Sequence, residues 1–355
     1  VENKVQAEKL KERISNSKFL VDSIVKREKQ RQPYSPYSNS LLLQDASSKL
    51  GFSPKYTNAI AQQLKDGDGM GGLGALITYH RTDSNRMKNS EVLKLRELIS
   101  STIGENYVSE KEIIYKEKSK FVQQGHEAVT PTQLNRKPDE IRDKLSPDQF
   151  KLYDLIWKRT IASQMKPSKS LETLYYLKSE DFLLKASGSI KIFDGFKKIY
   201  NFSDSKEDSQ ILPNLEKGEK LEVKKLEIKQ NFTKPPNRYS EAGLIKKLEE
   251  LGIGRPSTYV SIFTKLEKNS YINIKNKSLI PTAKGKILVK FLDGFFDKFV
   301  DYGFTADLEE QLDLITESKL DWKSTLNKFL EILNQTVNQV EKQSITQVID
   351  KINEN

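Results

Sequence analysis

Cysteine is absent from the 355-residue sequence, and this absence removes several kinds of chemistry. Without a thiol there is no disulfide, no cysteine-ligated zinc site and no cysteine nucleophile. The sequence also lacks an apolar run of 18 residues, a signal peptide and a lipidation motif. Neither a membrane span nor a lipid anchor is therefore predicted. We expect a soluble, cytoplasmic protein that has no membrane partner.

Charge is abundant in the sequence and is unbalanced toward the positive. The net charge is +10 at pH 7 and the pI is about 9.2. Such a balance favours a polyanionic partner, most simply nucleic acid. A general bias toward lysine would give the same net charge, because lysines outnumber arginines 48 to 11. The arginines are therefore more informative, and two of them, Arg81 and Arg86, lie in or just after one motif.

Length and hydrophobic periodicity predict several domains of mixed α and β structure. The predicted helices cover 40–50, 55–65, 91–103, 145–164, 243–251, 257–268 and 282–292. The predicted strands cover 19–25, 173–177, 182–186, 221–228, 271–275 and 278–281. The sequence begins at Val1 within a charged helical stretch, and we expect it to be part of a longer protein.

The stretch 72–84 joins an apolar run to side chains that are capable of phosphate chemistry. The run predicts a short buried strand. On an extended backbone, Tyr79 and Arg81 would point one way, and Thr78 and His80 the other. A phenol ionises near pH 10 and is a weak nucleophile until its anion is stabilised. Arg81 would supply that stabilisation or bind a phosphate, although a packed ring beside a solvated charge is the commoner explanation of such a pair.

A second stretch, 232–259, predicts an anion site at a helix terminus. Gly254 ends one helix, and the next helix begins with a proline in its first turn. Arg255, Ser257 and Thr258 stand at that beginning and can bind or donate to an anion. Two ordinary helix caps explain the same pattern equally well.

Four separated motifs resemble the type IA DNA topoisomerase family, specifically bacterial DNA topoisomerase I. They are Pro-Tyr-Ser-x-Ser-x-Leu-x-Gln-Asp-Ala-Ser-Ser-Lys-Leu-Gly-Phe at 36–52, Leu-Ile-Thr-Tyr-His-Arg-Thr-Asp-Ser at 76–84, Gly-His-Glu-Ala at 125–128, and Pro-Pro-Asn-Arg-Tyr-Ser-Glu-Ala with Gly-Ile-Gly-Arg-Pro-Ser-Thr-Tyr at 235–259. The family usually has Met where His80 stands and often Arg where Thr130 stands. The second departure removes one possible DNA contact.

The resemblance implies a multidomain α+β fold: a toroidal core with mostly helical lobes and an antiparallel β arch. The implied domains are a β arch or hinge at 1–38 and 167–230, a tyrosine-bearing domain at 39–166, a helical winged-helix-like DNA-groove lobe at 231–322, and a helical tail at 323–355. It also implies a Toprim domain before Val1 that would bind Mg²⁺, so we expect no metal ligand in this chain. The family's C-terminal zinc ribbons would be missing as well.

The implied activity is transient cleavage of one DNA strand through a 5′-phosphotyrosine, strand passage and religation, which relaxes negative supercoils without ATP. The catalytic residues would be Tyr79 and Arg81. The phosphate- or DNA-binding residues would be Thr78, His126, Arg238, Arg255, Ser257 and Thr258. The partners would be DNA, preferably single-stranded, and the Toprim domain, and the protein would be associated with the nucleoid.

Two other interpretations are open at this stage. A chain without its metal-binding domain would be a single-stranded DNA-binding module that cleaves nothing. A tyrosine recombinase would instead need several Arg and His residues around a tyrosine on a helix near the C-terminus. Tyr79 follows a predicted strand near the N-terminus, so the recombinase is disfavoured.

Overall fold

The computed structural model describes residues 1, 3–67, 70–116, 126–202 and 211–354. Within these residues the α-helices are α1 (Lys4–Ser15), α2 (Asn39–Asp45), α3 (Pro54–Asp66), α4 (Asn89–Thr102), α5 (Pro147–Ala162), α6 (Glu241–Leu251), α7 (Tyr259–Lys268), α8 (Ala283–Phe295), α9 (Asp297–Val300), α10 (Tyr302–Thr316), α11 (Trp322–Glu341) and α12 (Ile345–Glu354). The strands are β1 (Phe19–Arg31), β2 (Ser168–Lys178), β3 (Leu183–Phe193), β4 (Lys220–Leu221), β5 (Ile272–Lys275) and β6 (Ser278–Pro281).

Contacts divide the chain into two units, each with its own core. The first contains Val1–Tyr34, Arg96–Ile113 and Ile161–Pro236, and the second contains Ser35–Leu95, Ile114–Thr160 and Asn237–Asn355. The finer division into four domains stays a prediction. The α+β character of the fold is confirmed, and so are the helices and strands predicted between 243 and 292.

The first unit is built on a four-stranded antiparallel sheet in the order β3-β2-β1-β4. β1 and β2 pair along almost their whole length, from Leu20 opposite Lys178 to Arg31 opposite Ser168. The predicted strand at 221–228 is wrong, because β4 ends at Leu221. The residues after it alternate apolar and charged side chains but pair with no strand of the described chain. Alternation is stable as a strand only where a neighbour supplies the hydrogen bonds.

The second unit contains every residue that the sequence predicts for chemistry. Its core includes Leu43, Leu64, Leu76, Ile77 and Leu152, which are almost completely buried. The helix predicted at 40–50 is α2 followed by a π-helical turn at Ala46–Leu50, and the left-handed Gly51 ends it.

Helix α3 ends in a way that sets the position of the tyrosine segment. Ser53 caps its start, Pro54 occupies its first turn, and Gly67 ends it with φ +80°. A Cβ on Gly67 would lie 2.7 Å from the carbonyl carbon of Gly74, so only glycine fits this close approach of two backbones. Leu76 N then donates to Leu64 O at 2.8 Å. The chain that leads to Tyr79 is therefore fastened to the last turn of α3.

A small hydrophobic cluster joins α2 to the helices that follow residue 240. It consists of Leu43, Ile245, Tyr259, Phe263 and Leu279, all buried. At its edge Ser40 Oγ donates to Glu249 Oε2 at 2.7 Å. Burial of these side chains holds α2, α6, α7 and β6 together within the second unit.

Candidate active site

The backbone of the tyrosine segment is paired with a distant part of the chain. Thr78 N donates to Thr130 O at 2.9 Å, and Thr132 N donates to Leu76 O at 3.0 Å. The predicted strand is therefore reduced to an isolated bridge at Ile77, and the chain bends at His80 and Arg81. The segment at 128–132 is the partner of this bridge.

The alternation predicted for residues 78–81 is present. Tyr79 is 51% exposed and Arg81 is exposed, whereas His80 is completely buried and Thr78 is half-buried. Tyr79 and Arg81 therefore both reach solvent, while His80 between them is buried. Within the described residues, no group hydrogen-bonds the Tyr79 hydroxyl, and Arg81 forms no ion pair. Both groups are available to a ligand.

Thr78 has a structural role that the sequence did not indicate. Its hydroxyl donates to Ala128 O at 2.9 Å and accepts from Thr130 N at 3.0 Å. This ties the residue before Tyr79 to the strand-like segment that follows His126. Binding of a phosphate by Thr78 stays a prediction, but its hydroxyl proton is already donated within the protein.

His80 is the buried member of the motif. Neither of its ring nitrogens has a hydrogen-bond partner in the described structure. Burial, reinforced by the nearby Arg81 guanidinium, lowers the pKa of His80 to about 4. The imidazole is therefore neutral at physiological pH and fills the space as an apolar side chain would. The family that the motifs resemble usually has Met, an apolar residue, at this position.

Asp83 and His126 form the second polar pair of the site. His126 Nδ1 lies 3.5 Å from Asp83 Oδ1, and the two side chains are 37% and 15% exposed. Lys88 Nζ also reaches Glu127 Oε1 at 2.6 Å, which holds the residue after His126. An imidazole N–H at this position would donate to a phosphate oxygen.

Lys65 is a further cation next to the tyrosine. Its Nζ lies 2.9 Å from Asp66 Oδ1, and Gln62 Nε2 donates to the other oxygen of Asp66 at 2.6 Å. Hydrogen bonding and attraction to Asp66 raise the pKa of Lys65, and Tyr79 adds a smaller contribution. Sequence reasoning missed Lys65 because it lies 14 residues before Tyr79, across a turn.

Arg255 does not point freely into solvent. Its guanidinium is 18% exposed, and Nη2 lies 2.6 Å from Asp313 Oδ2 while Nη1 lies 3.7 Å from Glu309 Oε2. Nη1 also donates to the carbonyl oxygen of Gly254 at 2.8 Å. The structure thus assigns Arg255 to fastening its loop to α10. Its predicted contact with DNA is not tested by this arrangement.

The hydroxyl side chains that follow Arg255 in the sequence are more exposed than its guanidinium. Ser257 and Thr258 are both exposed at the start of α7. Thr258 Oγ1 accepts from Arg255 N at 2.8 Å and so caps the turn. Gly254 has φ +77°, and a Cβ there would press on Thr258 and Tyr259, so glycine is required at this bend.

Two concave surfaces bring the tyrosine motif and the 252–259 loop together within the second unit. A small cavity of about 30 Å³ is lined by Asp83 and Arg255, among others. A larger groove of about 640 Å³ is lined by Arg81 and Ser257 together with residues of α3 and α7. Arg238 is exposed in an irregular segment and lines neither of them.

The described residues contain no group of three or more His, Asp or Glu side chains that could hold a metal ion. None of the described helices is both long and apolar enough to cross a membrane.

Comparison with known proteins agrees with this arrangement. A family model described as DNA topoisomerase matches residues 1–327. DNA topoisomerase 1 of Rickettsia felis is 44% identical over 357 aligned residues, which cover 99% of this chain and 46% of that protein. The chain belongs to the bacterial type IA DNA topoisomerase family. The resemblance of the four sequence motifs to this family is thereby confirmed.

Two further type IA relatives are similar over most of the chain. DNA topoisomerase 1 of Campylobacter jejuni is 40% identical, covering 93% of this chain and 47% of that protein. The full-length structure of topoisomerase I from Thermotoga maritima matches with a TM-score of 0.82 at 37% identity, covering 95% of this chain and 55% of that one. The predicted type IA core fold is confirmed. The chain spans about half the length of the curated relatives it matches.

Proposed function

We propose that the chain supplies the strand-cleaving tyrosine and part of the DNA-binding surface of a type IA DNA topoisomerase. The observation that carries this proposal is the exposure, two residues apart, of the Tyr79 phenol and of the Arg81 guanidinium, which lines a basic groove. Membership of the family supports DNA as the substrate.

Tyr79 is the nucleophile in the proposed reaction. Its hydroxyl oxygen attacks a backbone phosphorus and loses its proton. The bond from phosphorus to the 3′ oxygen breaks, and that oxygen takes up a proton. The products are a 5′-phosphotyrosine and a free 3′ hydroxyl. Religation is the reverse attack by the 3′ hydroxyl, and because the ester conserves the phosphate bond, no ATP is consumed.

The neighbouring cations stabilise the negative charge on the phosphate oxygens in the transition state. Arg81, which is exposed two residues after Tyr79, would present a planar fork of donors to the phosphate oxygens. His126, oriented by Asp83 at 3.5 Å, would supply a second donor. Thr78 and Thr258 would help to hold these side chains in place through the hydrogen bonds that their hydroxyls make with the backbone.

The overall cycle follows from the family. Cleavage would open a gate in one strand, a second strand would pass, and resealing would relax negative supercoils. Single-stranded DNA would be the preferred partner, and the Toprim domain of the same protein would complete the site. Mg²⁺ would be bound there. The described residues of this chain offer no cluster of side chains that could hold this ion.

The test is covalent capture of DNA. The chain would be mixed with a 3′-labelled single-stranded oligonucleotide and Mg²⁺, with and without the Toprim domain of a relative, and then denatured. We expect label on the protein, and we expect Tyr79→Phe to remove it. Tyr302→Phe is the matched control, because Tyr302 is also exposed in the second unit but lies outside both concave surfaces.

The result also decides the alternative function. If DNA binds but no label is captured under either condition, the cleavage proposal fails and a single-stranded DNA-binding module remains. Four cations that line one groove favour binding of DNA in either case.

A further inference from the structure

Lys65 is a cation near Tyr79 that lies outside the four sequence motifs. It stands in the last turn of α3, one residue after Leu64, whose carbonyl oxygen accepts from Leu76 N at 2.8 Å. Tyr79 follows Leu76 by three residues, which is at most about 10 Å of chain. We propose that the Lys65 ammonium stabilises the negative charge on the Tyr79 oxygen during cleavage and religation. The proposal rests on the proposed function for the reaction at Tyr79.

A chain of hydrogen bonds holds the Lys65 ammonium in position. Its Nζ lies 2.9 Å from Asp66 Oδ1, and Gln62 Nε2 donates to Asp66 Oδ2 at 2.6 Å. Positions 62, 65 and 66 lie on one face of α3, because they are three and four residues apart. Gln62 lines the same groove as Arg81. These hydrogen bonds therefore connect Lys65 to the groove that Arg81 lines.

The charges at the end of α3 act on the tyrosine motif. Hydrogen bonding and attraction to Asp66 raise the pKa of Lys65 most, and Tyr79 raises it further. Burial and Arg81 dominate the pKa of His80, and the charges of Asp66 and Lys65 also shift it, in opposite directions. The rings of Tyr79 and His80 lie 5.8 Å apart. Since such interactions weaken with distance, Lys65 lies close to both residues.

Lys65 has hydrogen-bond donors that the fold does not use. An ammonium carries three N–H donors, and within the described residues Lys65 donates only to Asp66. The two side chains of this pair are 39% and 32% exposed, and an exposed pair contributes little to stability. Tyr79 is itself 51% exposed. The arrangement therefore favours a role of Lys65 in the reaction over a role in the fold.

The charge on the Tyr79 oxygen changes in both directions of the reaction. In cleavage, the phenol proton leaves to water as the oxygen bonds to phosphorus. In religation, the bond from phosphorus to the phenol oxygen breaks, its electron pair stays on that oxygen, and a proton from water neutralises it. A protonated amine beside this oxygen lowers the energy of the partly ionised phenol in both transition states. Lys65 stays protonated throughout, while Arg81 acts on the other phosphate oxygens.

Asp66 limits the effect of Lys65. Hydrogen bonds from Gln62 and Lys65 lower the pKa of Asp66, so the carboxylate is ionised at neutral pH. Its negative charge cancels part of the positive charge that Lys65 presents to Tyr79. Loss of the Lys65 charge and loss of the Asp66 charge should therefore have opposite effects on the Tyr79 oxygen. An ion pair with a structural role alone would instead give two variants that are impaired alike.

The first test examines Tyr79 without DNA. A fluorinated tyrosine, whose phenol is more acidic, replaces Tyr79 in the full chain, and its fluorine NMR signal is followed as the pH is raised. We expect the midpoint to rise by about 0.7 pH unit in Lys65→Met, which is about a fivefold change in ionisation and the size expected of one nearby charge in water. Asp66→Asn should lower the midpoint, and Lys65→Arg should leave it nearly unchanged. An unchanged midpoint in Lys65→Met would overturn the proposal.

The second test measures the reaction itself. Formation of the Tyr79 adduct is followed at saturating single-stranded oligonucleotide, with Mg²⁺ and the Toprim domain of a relative. Lys65→Met should slow it about fivefold near pH 7, and by less as the pH approaches about 10, where a phenol ionises unaided. Asp66→Asn should not slow it. Weaker DNA binding by Lys65→Met with an unchanged rate at saturation would contradict the proposal, since Lys65 would then be a phosphate contact only.

Lys151 offers a matched control. Its Nζ lies 2.9 Å from Asp148 Oδ1, the two side chains are 52% and 33% exposed, and Lys151 lines neither concave surface. Lys151→Met therefore removes a similar ion pair and the same charge, and it should change neither the titration nor the rate. Equal effects of Lys65→Met and Lys151→Met would overturn the proposal, because net charge alone would explain them. Thermal unfolding of all variants checks that the fold is retained.

The two proposals fail in different ways. If the fluorine titration responds as expected but no Tyr79 adduct ever forms, the interaction of Lys65 with Tyr79 stands and the cleavage function fails. If adducts form at the same rate in Lys65→Met and the titration does not move, the cleavage function stands and Lys65 is misassigned.

Discussion

The side-chain amide of Asn39 donates to the carbonyl oxygen of His80 at 2.9 Å. The backbone N of Asn39 also donates to Thr82 O at 2.7 Å. Asn39 is the first residue of α2 and is completely buried. Asn39 therefore holds the backbone at His80 and at Thr82, on both sides of Arg81. This sets the direction in which the Arg81 side chain projects.

We predict that Asn39→Ala lowers the free energy of unfolding by about 1–3 kcal/mol, because a buried carbonyl oxygen loses its donor. Urea unfolding measures this change. Covalent capture by Tyr79 should fall as well, since the backbone around Arg81 is released. Asn327→Ala, on an exposed face of α11, is the control and should leave both measurements unchanged.

The buried His80 predicts a specific acid sensitivity. Its pKa is lowered to about 4 in the folded protein, against about 6.5 in an unfolded chain. Between these values the unfolded state binds more protons, so stability falls as pH falls from about 6.5 to 4 and is unaffected by this group above that range. The loss approaches about 3 kcal/mol.

His80→Met should remove this acid-dependent loss and raise stability at neutral pH by about 1 kcal/mol, because two unpartnered buried nitrogens disappear. Urea unfolding of both proteins at pH 7.5 and pH 4.5 measures the difference. Other groups titrate equally in both proteins and cancel. The explanation is wrong if the two proteins lose the same stability on acidification.

Arg81 is predicted to act on the reaction more than on binding. Arg81→Ala should slow formation of the Tyr79 adduct by about 10²- to 10³-fold, as removal of one charge-stabilising donor does in other enzymes. Arg81→Lys should recover only part of this rate, because it restores the charge but not the planar fork. Adduct formation over time measures the rate. Capture by Arg81→Ala at nearly the original rate would show that another group neutralises the phosphate.

The pair between Arg255 and Asp313 is predicted to be structural. The two side chains are 18% and 22% exposed and 2.6 Å apart, so the pair is worth more than a surface ion pair but less than a fully buried one. Asp313→Asn should cost about 1–2 kcal/mol of stability. A double-mutant cycle with Arg255→Met isolates the pair, and additive effects would mean that it contributes nothing.

Local sequence patterns were sufficient to predict the features that depend only on residues close together in the sequence. The exposed–buried–exposed order of Tyr79, His80 and Arg81 was predictable from a two-residue period, and the burial of these side chains confirms it. The helix predicted at 55–65 likewise agrees with α3 to within one residue at each end. These features depend on neighbours within a few residues, which the sequence displays directly.

Contacts between distant parts of the chain were not predictable in the same way. The hydroxyl of Thr78 is bound to residues 50 positions later, and Arg255 is paired with a carboxylate 58 positions later. The groove that Arg81 lines also needs α3 and α7, which are far apart in the sequence, to lie on either side of it. The resemblance to the family identified the motifs, but not which of their side chains are already engaged within the protein.

The hydrogen bonds around Thr78 also have a mechanical consequence. A DNA strand esterified to Tyr79 pulls on the backbone directly beside Thr78. Three hydrogen bonds, to and from Thr130 and from Thr132 to Leu76, join that backbone to a second chain segment. Tension on the attached strand is therefore shared by two segments that are far apart in sequence, and it reaches the buried core through both of them.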